Sequence, residues 1–213
     1  IVCEENFHGR TSTIVSFSTD PDARVNYGPY ATGFKIIPFD DTAALEAAIN
    51  ENTVAFLVEP IQGEAGVALP AEGYLKKVRR ICSEKNILFI ADEVQTGFCR
   101  TGEKFAVDHE GVRPDVMTLG KALGGGVFPV SAIVADKNIM EVFTPGTHGS
   151  TFGGNPLGAA VGIAALEVLE DEHLQERAAV LGEKLREELR KIDCPRIIQI
   201  RGKGLLNAVV FED

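Results

Sequence analysis

The chain has 213 residues, enough for one substantial domain or one domain with part of another. Its 45% hydrophobic and 24% charged residues exclude a disordered polyampholyte. A net charge of -10, with no basic cluster beyond Lys76-Lys77 and Arg79-Arg80, argues against nucleic acid as a partner, and no apolar run approaches the ~20 residues of a membrane helix.

Ile1-Val2-Cys3 is too short for a signal-peptide core and Glu4-Glu5 follow it without a basic flank. Both ends of the chain read as cuts through a larger protein. Taken in order, Thr13 to Phe17 predicts a strand, and Asp41 to Asn50 a helix capped by Asp40 or Asp41. Val54 to Val58 is a nearly all-apolar strand. Glu72 to Lys85 is helical, because Tyr74, Leu75, Val78, Ile81 and Cys82 recur at three- and four-residue steps. Further strands are expected at Ile87–Ala91, Val116–Leu119 and Val130–Ala135. Continuous apolar strands alternating with helices predict an α/β fold, a mostly parallel sheet with helices on both faces. Residues 1–172 are read as this larger domain. A Gly- and Ala-rich helix over Asn155–Leu169 closes it. Residues 173–213 then read as the start of a small α+β domain: an amphipathic helix with Leu174, Ala178, Leu181, Leu185, Leu189 and Ile192 on one stripe, then strands at Arg196–Ile200 and Leu205–Phe211.

In parallel sheets ligands sit beyond the strand C-termini. Glu59 follows Val58, Asp92 and Glu93 follow Ala91, and Gly120-Lys121 follow Leu119. Singly, each is compatible with a helix cap or a solvated surface residue. Together they fit pyridoxal 5'-phosphate (PLP) chemistry, which needs a lysine for the Schiff base and a carboxylate to keep the pyridine nitrogen protonated. Asp92 supplies the carboxylate and Lys121 the amine, which can also move the substrate proton. The Gly124-Gly125-Gly126 run lets backbone pass close to a ligand. His148 to Pro156 carries hydroxyls and amides ahead of a helix, fit either to hold a phosphate or only to cap that helix. Cys3, Cys82, Cys99 and Cys194 form no CxxC pair, so neither a metal site nor a disulfide framework is expected, and the spacing favours a reducing compartment.

Phe7-His8-Gly9-Arg10-Thr11, Val58 to Glu64, Ala91 to Gly97, Leu119-Gly120-Lys121 and Gly149-Ser150-Thr151 make the chain resemble the class III (omega) aminotransferases over its whole length, with the motifs in order. Within the class it is most similar to the ornithine aminotransferases, through Tyr27 to Tyr30, Glu64 to Val67, Pro129 to Ala132, His148 to Gly158 and Arg201 to Asn207. The resemblance implies the type I fold of PLP-dependent transferases and transfer of the δ-amino group of L-ornithine to 2-oxoglutarate, in the cytosol or the mitochondrial matrix. It implies Lys121 as the cofactor lysine, Asp92 as the pyridinium partner, Gln95 on the phenolic oxygen, and Val94 and Phe7 on the two ring faces. It also implies Arg10 on a substrate carboxylate, Glu59 at the substrate, and Glu64 paired with an arginine beyond Asp213. Ser150 and Thr151 would reach the phosphate of a neighbouring subunit's cofactor, in a homodimer or higher homo-oligomer. The family's phosphate-binding glycine loop lies upstream of Ile1, so the isolated stretch is expected to lack part of the phosphate cup. His8 stands where many members carry tryptophan or tyrosine. Acetylornithine and 4-aminobutyrate aminotransfer are the alternatives inside the class. A non-catalytic binding protein has no use for Lys121 with Asp92, and a Schiff-base lysine enzyme without PLP has none for Asp92 and Ser150-Thr151.

Overall fold

The computed structural model describes residues 1–212. In chain order the elements are β1 (Val2–Cys3), α1 (Ser12–Val15), α2 (Pro21–Arg24), β2 (Ile36–Ile37), α3 (Thr42–Ala48), β3 (Ala55–Val58), α4 (Tyr74–Glu84), β4 (Leu88–Asp92), β5 (Val116–Leu119), β6 (Ala132–Ala135), α5 (Lys137–Met140), α6 (Pro156–Asp171), α7 (Leu174–Arg190), β7 (Ile197–Lys203) and β8 (Leu206–Phe211). Short 3-10 turns occupy Ala106–Glu110 and Lys121–Gly124.

The first six strands form one sheet in the order β2-β1-β3-β4-β5-β6. Every neighbouring pair is parallel except β5 with β6. α4 lays the face read from its periodicity onto this sheet: Tyr74, Leu75, Val78, Ile81 and Cys82 pack with Phe56 and Val58 of β3, Phe89 of β4 and Leu45 of α3. Each large side chain so buried contributes roughly 1.5–3 kcal/mol. Asp41 caps α3 by accepting the Ala44 N–H at 2.8 Å, and Asn155 caps α6 through the Gly158 N–H at 2.7 Å. The sheet alternation leaves Leu57, Leu88 and Ile90 on the opposite face only half-buried. No described helix is long and apolar enough to cross a membrane.

Two expectations need correction. Thr13–Phe17 is not a strand. Ser12–Val15 makes a helical turn, with the Val15 N–H on the Thr11 carbonyl at 2.9 Å and the Ser16 hydroxyl on the Ser12 carbonyl at 2.7 Å. Burial of Val15 and Phe17 satisfies their hydrophobicity without a neighbouring strand, so tertiary packing overrides β-propensity. The leucine stripe of α7 is also displaced. The helix buries Ala178, Gly182 and Arg186, while Leu181 and Leu185 stay exposed. The cause is close backbone approach: a Cβ on Gly182 would lie 1.8 Å from the Gly204 carbonyl oxygen, in the turn joining the antiparallel pair β7–β8.

Candidate active site

Strand register brings the polar residues read from the sequence to one edge. Val58 pairs with Ala91 and Asp92 with Thr118, so Glu59, Asp92 and the segment leading to Lys121 emerge side by side at the C-terminal ends of β3, β4 and β5. They line a cavity of about 120 Å³ together with Phe7, His8, Gly9, Ile61, Val94, Gln95 and Thr96. A larger hollow of about 540 Å³ shares Val94, Gln95 and Lys121 with it and extends past Arg100 and Gly126 to Leu205 and Leu206. A separate groove of about 550 Å³ lies between the 98–105 loop, α6 and α7, where Lys104 is committed to an ion pair with Glu170.

Asp92 is 8% exposed. One of its oxygens accepts the Val94 N–H at 3.0 Å, the other lies 2.7 Å from His8 Nδ1. Lys121 has φ +44°, a left-handed backbone costly for a residue with a side chain and characteristic of sites where function sets the geometry. It takes part in no ion pair among the described residues, so its amine is uncommitted. Glu59 is buried and accepts the Phe7 N–H at 2.8 Å, which fixes the Phe7 loop against β3. Desolvation pushes the Glu59 carboxyl up to about 7, against the lowering effects of the Phe7 N–H and the His8 ring.

Gln95 donates to Glu64 at 3.0 Å, and its amide oxygen is buried without a partner. A Cβ on Gly63 would meet that oxygen at 1.3 Å, so any side chain there would displace the end of Gln95 from its present position. Glu64 therefore pairs with Gln95. The loop carrying it, where β-branched Val67 sits at φ +58°, is clamped by Arg201, whose Nε and Nη2 donate to the Gly66 carbonyl at 3.0 and 2.8 Å. Arg10 is exposed, with its guanidinium 5.5 Å from the centre of the Phe7 ring. Ser150 and Thr151 stay out of the Lys121 cavity. Ser150 lines another groove, with residues 128–132 and 152–155, and Thr151 is exposed.

Sequence reasoning missed two supports. His8 reaches Asp92 across 84 residues, and no local pattern announces that. Glu93, fully buried, accepts the Val107 N–H at 2.9 Å and the Thr96 hydroxyl, and desolvation raises its carboxyl above the ordinary range. It ties the turn after Asp92 to the 105–110 segment. Its place directly after Asp92 was the available signal.

The cavity offers a free amine, a buried carboxylate, an aromatic and an aliphatic wall, and unpartnered buried polar atoms on His8 and Gln95. That set fits an aromatic, cationic ring carrying a carbonyl. Comparison with known proteins agrees. The chain is 57% identical to an ornithine aminotransferase of Bacillus cereus (strain Q1), over 100% of this chain and 54% of that protein. It superimposes on the ornithine aminotransferase of Toxoplasma gondii ME49 with TM-score 0.97 at 51% identity, covering 99% of this chain and 51% of that one. The acetylornithine aminotransferase of Elizabethkingia anophelis gives TM-score 0.86 at 56% identity, over 100% and 52% of the two chains. The chain thus spans about half the length of the relatives it matches. The family model for "Aminotransferase class-III" matches residues 1–213, and the chain belongs to the class III aminotransferases.

Proposed function

We propose that the full-length protein is a PLP-dependent ornithine aminotransferase, moving the δ-amino group of L-ornithine to 2-oxoglutarate and giving glutamate 5-semialdehyde and glutamate. The observation that carries the reading is the convergence of Lys121 and Asp92 on one cavity, in a chain more than half identical to ornithine aminotransferases. Bound there, PLP supplies an electrophilic carbonyl and an electron-withdrawing ring. Lys121 would hold the cofactor through its Nζ, and that amine would move the substrate proton. Asp92 accepts from the ring nitrogen, and its burial strengthens that pairing. Val94 and Phe7 would pack on the ring faces, and Gln95 would hydrogen-bond its phenolic oxygen. Arg10 suits a substrate carboxylate through its planar fork. Glu59 shapes the floor beneath the substrate, and Glu64 controls which charged end is admitted.

The phosphate is not provided for by the residues lining this cavity, where Lys121 is the one Lys or Arg. Ser150 and Thr151 of a neighbouring subunit supply part of that cup, so the active unit is a homodimer or a higher homo-oligomer. The division into a large domain, 1–172, and a small one beginning at 173 is part of the same reading. It is supported by β7–β8 forming a sheet apart from the main one.

In the full-length enzyme, Lys121→Ala removes the covalent link. Borohydride no longer fixes cofactor to the chain, and turnover falls roughly 10²- to 10⁴-fold or more. Full turnover with borohydride-stable cofactor in that variant overturns the assignment. The likeness to the E. anophelis enzyme supports a second reading, N-acetylornithine as amino donor. A kcat/KM for N-acetylornithine above that for ornithine selects it.

A further inference from the structure

Arg201 has no part in the roles assigned above. It lies on β7, in the small sheet, yet its Nε and Nη2 donate to the Gly66 carbonyl, 135 residues earlier in the chain, at 3.0 and 2.8 Å. Its Nη1 donates to the Gln199 side chain at 3.1 Å, which aims the guanidinium from its own strand. Among the described residues it forms no ion pair, so its donors go to neutral acceptors. Gly66 is open to water, where such a contact adds little to the stability of the fold and serves chiefly to orient. The segment it grips is anchored at its base. The Gln62 and Ala68 N–H groups donate to each other's carbonyls at 3.1 and 2.9 Å, and the Gln62 side chain donates to the Glu4 carbonyl at 2.7 Å. The Gly66 and Val67 N–H groups both donate to the Gly63 carbonyl, at 3.2 and 3.1 Å, and close the turn. On its inner side this turn meets Gln95. Glu64 accepts from the Gln95 amide nitrogen at 3.0 Å, and the Gln95 amide oxygen lies so close to Gly63 that a Cβ there would come to 1.3 Å from it. The turn thus holds both atoms of the Gln95 head, and Arg201 holds the far end of the turn.

We propose that Arg201 is a positioning residue: by holding the Gly66 carbonyl from the small sheet, it keeps the 63–67 turn seated on Gln95 and so sets how that amide is presented to the cofactor. The inference rests on the PLP reading above, with Gln95 on the phenolic oxygen. Gln95 lines both the 120 Å³ cavity and the 540 Å³ hollow beside Lys121. Its planar amide carries two N–H donors. One is committed to Glu64, which leaves the other for a ligand, so a tilt of the turn rotates both together. Two N–H groups of one rigid plane converge on the Gly66 oxygen, and that fixes direction as well as distance. A lysine ammonium is a point donor on a flexible stem and fixes distance alone.

The test is a double-mutant cycle in the full-length enzyme, read as the PLP dissociation constant of the apoprotein and as the pH midpoint of the bound cofactor's visible band. Arg201→Met removes the donors and keeps the stem. Arg201→Lys keeps the charge without the fork. Gln95→Ala removes the amide through which the effect must pass. In Arg201→Met the dissociation constant rises roughly three- to tenfold, the range for one hydrogen bond lost. The midpoint moves to higher pH, because the amide no longer favours the deprotonated phenolic oxygen. Arg201→Lys recovers less than half of either change, and full recovery by lysine overturns the proposal. In the Gln95→Ala background, adding Arg201→Met changes the dissociation constant less than about twofold and leaves the midpoint where it was, as residues acting in series require. A purely structural or long-range electrostatic role gives the same change in both backgrounds, and that result, or wild-type behaviour of Arg201→Met, overturns the proposal. Should Arg201→Met fail to fold, the cycle is run with Arg201→Lys under the same criterion. If borohydride fixes no cofactor to Lys121 in wild type, the PLP reading itself fails. If it does and the two effects simply add, the inference alone is wrong.

Discussion

Glu59 links the floor of the cavity to the stability of the fold. Desolvation raises its carboxyl from 4.5 to about 7, so the folded protein binds a proton there that the unfolded chain releases. A raised folded value means the stabilisation is full below about 4.5 and is lost as pH rises to about 7. Glu93 shifts in the same direction for the same cause. Gln at position 59 accepts the Phe7 N–H as Glu does but never ionises. In apo full-length protein, Glu59→Gln should match wild type near pH 4.5 and exceed it at pH 8. At about 1.4 kcal/mol per pKa unit, the shift from 4.5 to about 7 makes the gain on the order of 3 kcal/mol. Melting curves from pH 4.5 to 8 check this, and a difference that stays flat with pH refutes it. At this scale the sequence was legible where a polar residue follows an apolar run within two positions, as with Glu59, Asp92 and Lys121. His8 was not, because its meaning comes from a contact that only the folded sheet makes.

α7 shows two effects of one residue in competition. Helix propensity says Gly182→Ala should stabilise the helix by about 1 kcal/mol. The added methyl, however, would meet the Gly204 carbonyl oxygen at 1.8 Å, and Gly204 itself sits at φ +53° with a Cβ position 2.3 Å from the Thr101 carbonyl carbon. Three backbones meet there with no flexible side-chain end to give way. Overpacking should win, with a loss on the order of 3 kcal/mol. Denaturant unfolding of full-length Gly182→Ala, beside exposed Val180→Ala as a control within about 0.5 kcal/mol, measures it. Wild-type stability in Gly182→Ala would mean that α7 can slide along the β7–β8 turn. This contact also explains what the pattern could not show. Hydrophobic periodicity located α4 and α7, and it gave the buried face of α4 correctly, because that face meets a broad apolar sheet. It misjudged α7, where the neighbour is a backbone turn that selects small residues. It misjudged Thr13–Phe17 because β-branched residues were burying themselves in a helical turn.

Across the whole molecule, apolar surface and functional residues are unevenly placed. Val127, Ile133, Val134, Val142, Phe143, Phe152, Leu157 and Ile163 are all exposed, and they fall within the stretch that also carries Ser150 and Thr151. Large apolar side chains left exposed in one segment suit surfaces that a partner covers. Lys121 and Asp92 line the other cavity, away from Ser150 and Thr151. If Thr151 serves the neighbour's cofactor, as proposed, the two defects Lys121→Ala and Thr151→Ala must complement. In a mixed dimer of the two variants, one site carries both defects and the other has intact Lys121 from one subunit and intact Thr151 from its partner. Random 1:1 mixing makes half the dimers mixed, each with one good site of two, so activity should recover to roughly a quarter of wild type in a two-fold dimer. If Thr151 acts within its own subunit, every site in every dimer carries one defect and mixing recovers nothing. Co-expression of differently tagged subunits, isolation of the doubly tagged species, in which sharing gives roughly half of wild-type activity, and assay of ornithine turnover separate the two arrangements, and an inactive mixed dimer that still holds PLP rules out sharing of the site.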